Sequence, residues 1–250
     1  MNRRSLLSWL GASAASTLTP LSAVTAARPR VLSLESFHVT HPDRMPLLHN
    51  YLGRAILPVL YQIHDGPKMF LEAIVAPQTP QTLFLATYSS FDEMLDIRGR
   101  IATHPGIRQA RADLESAHVL DQVQSQVLLT THESLRFATG SNRLQTGVFE
   151  LRSYHAPAWQ DGPPARVSAV LHRTGIHPIV NASTAVGEHL PRFTYLIAFE
   201  SLAARQEAWA RLDADPAWID IQRESLARYG SAAKVTGKSI YKLAPYCQWA

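Results

Sequence analysis

The stretch Leu83-Phe84-Leu85-Ala86-Thr87-Tyr88-Ser89-Ser90-Phe91 returns in altered form as Thr194-Tyr195-Leu196-Ile197-Ala198-Phe199-Glu200-Ser201-Leu202, 111 positions later. At that offset Leu85/Leu196, Ser90/Ser201, Arg100/Arg211 and Pro105/Pro216 are identical, and His104-Pro105-Gly106-Ile107 falls on Asp215-Pro216-Ala217-Trp218. Further back, Leu34-Glu35-Ser36-Phe37-His38 matches Leu151-Arg152-Ser153-Tyr154-His155 at an offset of 117, so one loop has changed length. The chain therefore reads as a tandem repeat, and its fold is one that two copies of a unit make together. Leu83 to Tyr88 and Phe193 to Phe199 are apolar at nearly every position. A strand with one wet face would alternate, so both faces of these strands are covered, helices on one side and another sheet on the other.

Each unit has the same order of elements. An alternating strand opens it, at 31–39 and at 147–154. A helix follows: Leu48, Tyr51, Leu52 and Ala55 stand at helical spacing, and Val167, Val170 and Leu171 repeat it after Pro163-Pro164. Two strands come next, at 69–75 and 82–88 and again at 179–185 and 193–199. Ser90 and Ser201 are placed as N-caps of a second helix, with Asp92-Glu93 in its first turn in the first unit. His104-Pro105 and Asp215-Pro216 break that helix and start another, and closing strands lie at 124–130 and 234–243. The order β-α-β-β-α-β is the ferredoxin-like arrangement. The expected architecture is α+β: two tandem ferredoxin-like units, 28–130 and 147–245, packed sheet to sheet as a pseudo-dimeric α+β barrel. Residues 131–146, with Thr139-Gly140-Ser141-Asn142, form the linker.

The composition, 46% hydrophobic and 18% charged over 250 residues, excludes a disordered chain. The single cysteine, Cys247, excludes an intrachain disulfide and a cysteine-rich zinc framework. It is either inert or, in an oxidising compartment, a link to another chain. Residues 1–27 have the three-part layout of a secretory leader: Arg3-Arg4, a mildly apolar stretch from Leu6 to Leu21, and Val24-Thr25-Ala26-Ala27. The paired arginines and weak hydrophobicity resemble a Tat signal, although Leu6 and Ser8 stand where Phe and Lys are usual; a Sec signal is the other reading. A periplasmic or secreted protein is expected, with no membrane span in the mature chain. Losing Arg3 and Arg4 takes the formal charge from +4 to +2. With no basic cluster interleaved with aromatics, no nucleic-acid partner is expected.

Phe149-Glu150-Leu151-Arg152-Ser153-Tyr154 resembles the Y-E-L-R-x-Y start of the NIPSNAP domain. The stretch from Tyr195 to Leu202, with Arg205, Arg211 and Asp215-Pro216-Ala217-Trp218, resembles that domain's aromatic strand, S-L, arginine-spaced helix and D-P-x-W. The resemblance covers residues 147–245, and 31–130 look like a degenerate second copy. It implies a dimeric α+β barrel, a superfamily that also holds small monooxygenases, haem-processing enzymes and chlorite-dismutase-like proteins. It implies no agreed catalytic activity. The family's second strand is usually Trp-rich, whereas Ile179-Val180-Asn181-Ala182-Ser183-Thr184 stands here.

Period two puts Glu150, Arg152 and Tyr154 on one face of the first strand of the second unit and Phe149, Leu151 and Ser153 on the other. The apolar set is expected against the helices and the polar set in the barrel interior. There Glu150 and Arg152 partner each other or the opposing unit. Because Glu35 matches Arg152 in the repeat, an Arg152–Glu35 pair across the pseudo-twofold is the specific expectation. On the functional reading Arg152 and Tyr154 bind an anionic or oxygenated ligand; on the structural reading they form a buried ion pair and a hydroxyl hydrogen bond. His64 and His177 occupy similar places after the first helix of each unit and would meet at the barrel mouth or stand as solvated loop residues. No H-E-x-x-H, G-x-S-x-G or Gly-rich phosphate loop occurs, so no metal and no cofactor are expected and catalytic residues are not assigned. Only His172 or His177 would suit a haem. Trp209, Leu212 and Trp218 read as core.

The function expected is small-molecule binding or an accessory role in the inter-sheet cavity of an exported NIPSNAP-like protein, with Arg152, Tyr154, Glu150, Glu35 and His177 as ligand-binding residues. A cofactor-independent monooxygenase or isomerase of the same fold and a structural assembly subunit are the alternatives. A homodimer stays open, since the internal repeat either replaces it or leaves edges for a second chain.

Overall fold

The computed structural model describes residues 30–130, 147–155, 165–186, 190, 192–230 and 234–247. Residues 1–27, read above as a leader, and 131–146, read as a linker, lie outside them. The first half runs β1 (Arg30–Val39), α1 (Met45–Asn50), a π-helical turn (Tyr51–Ile56), α2 (Leu57–Ile63), β2 (Lys68–Val75), β3 (Gln81–Tyr88), α3 (Phe91–Thr103), α4 (Pro105–Ser116) and β4 (Leu120–Thr130). The second runs β5 (Val148–His155), α5 (Ala165–Arg173), β6 (Pro178–Val186), β7 (Arg192–Phe199), α6 (Leu202–Asp213), α7 (Pro216–Tyr229) and β8 (Lys234–Leu243).

The eight strands close into one ring in the order β1-β3-β2-β8-β5-β7-β6-β4. Within each half the order is that of a ferredoxin-like sheet, and every neighbouring pair is antiparallel. Two seams join the halves. In one, β2 pairs β8, with Leu71 opposite Leu243; in the other, β4 pairs β6, with Leu128 opposite Thr184. The pairing that two separate sheets would make across a dimer is made inside one chain. Among the described residues the ring leaves no sheet edge for a second chain to extend.

Local signals in the sequence set the helix ends. The Ser90 hydroxyl accepts from the Glu93 amide and the Ser201 hydroxyl from the Ala204 amide, both at 3.1 Å. Pro105 and Pro216 open α4 and α7. Asp215 caps α7 by accepting from the Ala217 and Trp218 amides, and Arg173 at the end of α5 donates to both of its carboxylate oxygens. The D-P-x-W segment is thus a cap, a first helical proline and an indole held at a fixed angle to the sheet.

All eight residues of β3 are buried, as covered strands require. Alternation along the paired strands puts Leu32, Leu71, Leu83, Leu85, Phe149 and Leu196 inside the ring, none more than 1% exposed. The outer faces carry the larger aromatics, Phe70, Phe84, Phe193 and Tyr195, against the helices. After β8 the chain returns to the first half. The Ala244 amide donates to the Phe70 carbonyl, the Phe70 amide donates to the Cys247 Sγ at 3.5 Å, and Tyr246 packs edge-on against Phe70 and His49. Cys247 is buried and burial pushes its thiol up, so of the two expectations for it the inert one fits this environment.

Gly53, in the π-helical turn, lies directly under Tyr246: a Cβ there would sit 2.7 Å from the ring. Gly53→Ala is expected to destabilise the protein by about 1–3 kcal/mol through overpacking. Urea denaturation should show this loss, and should show it much reduced in a Tyr246→Ala background, because the two sites share one contact. Strict additivity would mean that the contact does not constrain the turn.

Candidate functional site

The strand β5 presents Glu150, Arg152 and Tyr154 on one face, as its period requires, but that face looks outward to α6 and not into the ring. Glu150 is fully enclosed and accepts four hydrogen bonds. Arg152 Nε reaches Oε1 at 2.7 Å, Arg205 forks onto both oxygens at 2.8 and 2.9 Å, and Trp209 Nε1 reaches Oε2 at 2.7 Å. The expected orientation is therefore inverted. A ring interior packed with leucines offers these charges no partner, whereas α6 brings a guanidinium and an indole one turn apart, at Arg205 and Trp209. The Arg152–Glu35 pair does not form either. Glu35 accepts from Arg98 of its own α3, and Arg152 stays with Glu150. Glu35 and Arg152 occupy matching places in the repeat, and so do Arg98 and Trp209. The first half holds a carboxylate–guanidinium pair where the second holds a guanidinium over an indole.

Burial opposes a charge on Glu150, but the donors from Arg205, Arg152 and Trp209 outweigh it and hold the carboxyl below its ordinary value of 4.5. Glu150 is thus a fixed anion with no lone pair to spare. Its role is to orient Arg152, whose guanidinium carbon lies 3.4 Å from the centre of the Trp209 ring and whose Nη1 donates to the Tyr154 hydroxyl at 3.3 Å.

These groups form one side of a cleft of about 220 Å³ between the sheet and the helices of the second half. Val167, Ile197 and Leu212 supply apolar wall, and Trp218, carried on the first turn of α7, faces them. Tyr195 lines the same cleft from β7. Its residue is 3% exposed and its hydroxyl has no hydrogen-bond partner among the described residues. Burial, with Tyr154 beside it, pushes the Tyr195 phenol well above the ordinary range, so it is a neutral donor. A matching cleft of about 380 Å³ lies in the first half, bounded by Glu35 and Arg98, the π-helical turn and α4. Among the described residues these two clefts are the candidate sites.

The histidines do not converge. His64 is enclosed, stacked on Tyr88 with ring centroids 4.8 Å apart and 3.5 Å from Glu93. His177 is exposed against His172, 5.2 Å between ring centroids. Burial lowers the pKa of both His64 and His177. Among the described residues no group of three His, Cys, Asp or Glu side chains is arranged to hold a metal ion. Sequence reasoning placed Trp209 and Trp218 in the core and passed over Tyr195. The available signal was the row Phe193, Tyr195, Ile197 and Phe199, whose bulk marks the helix side of β7, against the smaller Thr194 and Ala198 on the ring side.

Residues 145–248 match the family model described as NIPSNAP. Three solved structures share the fold over most of the chain. A protein provisionally assigned as a chlorite dismutase is 14% identical over 87% of this chain and 96% of its own, with a TM-score of 0.52. A protein of Fusobacterium nucleatum provisionally assigned as a monooxygenase is 9% identical over 86% and 92%, with a TM-score of 0.50. An anthrone oxidase-like protein is 12% identical over 86% and 91%, also at 0.50. At these identities the likeness is one of fold. No curated protein matches the chain.

Glu150→Gln removes the charge from between two guanidinium groups, and such a loss costs about 3–5 kcal/mol. Because the folded pKa is depressed, the stabilisation is complete above the ordinary value of 4.5 and is lost as pH falls through the folded value. Urea midpoints of the two proteins should differ by a constant amount above about pH 5 and approach each other below about pH 4. A gap that stayed constant into acid would mean that the carboxylate charge is not what holds the pair.

Proposed function

We propose that the protein, whose residues 145–248 match the NIPSNAP family model, binds a small planar molecule carrying an acceptor oxygen in the sheet–helix cleft of its second half. The observation that carries this reading is the Tyr195 hydroxyl, a buried donor without a partner on the wall of a cleft. Such groups cost stability unless something accepts from them. The Arg152 guanidinium and the Tyr154 hydroxyl stand on the same wall, held by Glu150, and Trp218 offers flat apolar surface to a ring. An apolar pocket with a few fixed polar groups is the usual form of a small-molecule site. The working unit is the single chain, because the strand ring closes within it.

An enzymatic reading comes second, favoured by the same geometry. A cation and two neutral phenols facing one oxygen would stabilise negative charge developing there, as in an enolisation. Turnover of candidate ligands, abolished in Arg152→Ala, would move the reading from binder to enzyme. The proposal also keeps the chain exported on the Arg3-Arg4 leader. Fractionation of the native host should find the protein outside the cytoplasm, and Arg3→Lys/Arg4→Lys should retain it there if the route is Tat.

Native mass spectrometry on protein from its own host is expected to show a reproducible extra mass, lost in Arg152→Ala and diminished in Tyr195→Phe. In the ligand-free state Tyr195→Phe should unfold at equal or higher urea, gaining up to about 1 kcal/mol, since it deletes an unpartnered buried donor. A clean apo mass in one defined oligomer would favour a structural subunit. A destabilised Tyr195→Phe would place the hydroxyl in the core and not in a site.

A further inference from the structure

The first-half cleft differs from its repeat partner in size, wall and charge, and it is not a second copy of the same site. At 380 Å³ it falls within the range of drug-sized ligand pockets, which the second-half cleft does not reach. Its floor is the stacked pair Phe70 and Phe84, ring centroids 4.5 Å apart. The π-helical turn supplies Leu52 and Ile56, and Ile107 stands where the second half has Trp218. Wide turns of this kind are frequent at functional sites. The indole of Trp209 is replaced by Arg98, so the wall has no second flat ring at that place.

The charges at this cleft can be counted. Arg98 is committed to Glu35 and to the Ser125 hydroxyl at 3.1 Å. Arg111 is committed to Glu115, Nε to Oε1 at 2.9 Å. Arg108 lines the same cleft from α4, one turn before Arg111, is exposed, and its guanidinium makes no hydrogen bond or ion pair among the described residues. Three guanidinium groups against two carboxylates leave a single positive charge at the mouth. Tyr51, whose phenol is kept neutral by burial, lines the cleft near Arg111 and adds a hydroxyl donor.

We propose that this cleft is a separate binding site for a monoanionic amphiphile, an alkyl chain lying over Phe70 and Phe84 with its single charged head at Arg108. One net charge at the mouth favours a monoanion over a cation or a neutral alcohol, because a buried or half-buried charge needs one partner. The unbroken apolar floor favours a chain over a small polar anion.

The probe is sodium decanoate below its micellar concentration, titrated calorimetrically into the full chain beside decanol and decyltrimethylammonium. One saturable decanoate site is expected, with decanol at least tenfold weaker and no binding of the cation. Arg108→Glu should weaken decanoate at least tenfold, and so should Val123→Trp, which fills the mouth from β4 while keeping every charge. Arg108 and Val123 are exposed, so melting curves confirm that both variants fold. Arg228→Glu, an equal charge reversal on α7, should leave decanoate unchanged. In a variant with Trp9, Trp159 and Trp249 changed to Phe, emission from the remaining Trp209 and Trp218 reports the other cleft and should not respond. The proposal is overturned by an absence of saturable binding, by decanol binding as well as decanoate, by retention in Arg108→Glu, or by a tryptophan response that places decanoate in the second half. None of these outcomes bears on Tyr195, so the two sites stand or fall separately.

Discussion

A strand ring has an inside and an outside, and here much of both faces is kept from water. That constraint decides where polar chemistry can sit. The inside is lined by strand side chains, chiefly leucine with Phe149, Tyr241, Met69, valine, alanine and small hydroxyl residues. The Ser153 and Thr194 hydroxyls, 3.1 Å apart, satisfy each other there without charge. The outside faces helices, whose long side chains reach the sheet with guanidinium and indole groups. Every charged residue of β1 and β5 discussed above is therefore partnered from a helix, and the clefts form where the helices do not fully cover the sheet.

The repeat, the element order, the serine caps and the prolines that open α4 and α7 were legible in the sequence because each rests on local or periodic chemistry. The covering of both faces of β3 was legible too, since a half-wet strand would alternate. Which face of β5 looks inward was not legible. Period two separates Glu150, Arg152 and Tyr154 from Phe149, Leu151 and Ser153 but does not say which set meets the helices. An apolar face usually meets them, and here the ring interior took it instead. The deciding partners, Arg205 and Trp209, lie on another element more than fifty positions away, and only packing brings them to Glu150. The same is true of Tyr195, whose missing partner is a property of the assembled wall.

The two halves show how one scaffold diverges without changing its fold. Exchanging the strand residue, Glu35 against Arg152, and the helix residue, Arg98 against Trp209, keeps a satisfied pair at each place. It alters what remains free to meet a ligand. In the first half the pair consumes its own charge and recognition passes to Arg108 at the rim. In the second an additional carboxylate, Glu150, and an additional arginine, Arg205, hold Arg152 against the indole with donors to spare. Duplication within one chain permits this asymmetry, which two identical subunits would be denied.

The seams also impose an order in time. The strands β2 and β4 find their outer partners only in β8 and β6, so Leu71 waits for Leu243 and Leu128 for Thr184. While the chain is being synthesised, the first half has its helices and its four paired strands but two bare sheet edges, and the groups that cover Phe70 are not yet made. Contacts of such long sequence separation form slowly, and bare edges recruit other chains. A nascent first half is therefore a sheet with two open sides, and its natural competitor for closure is another nascent copy of itself.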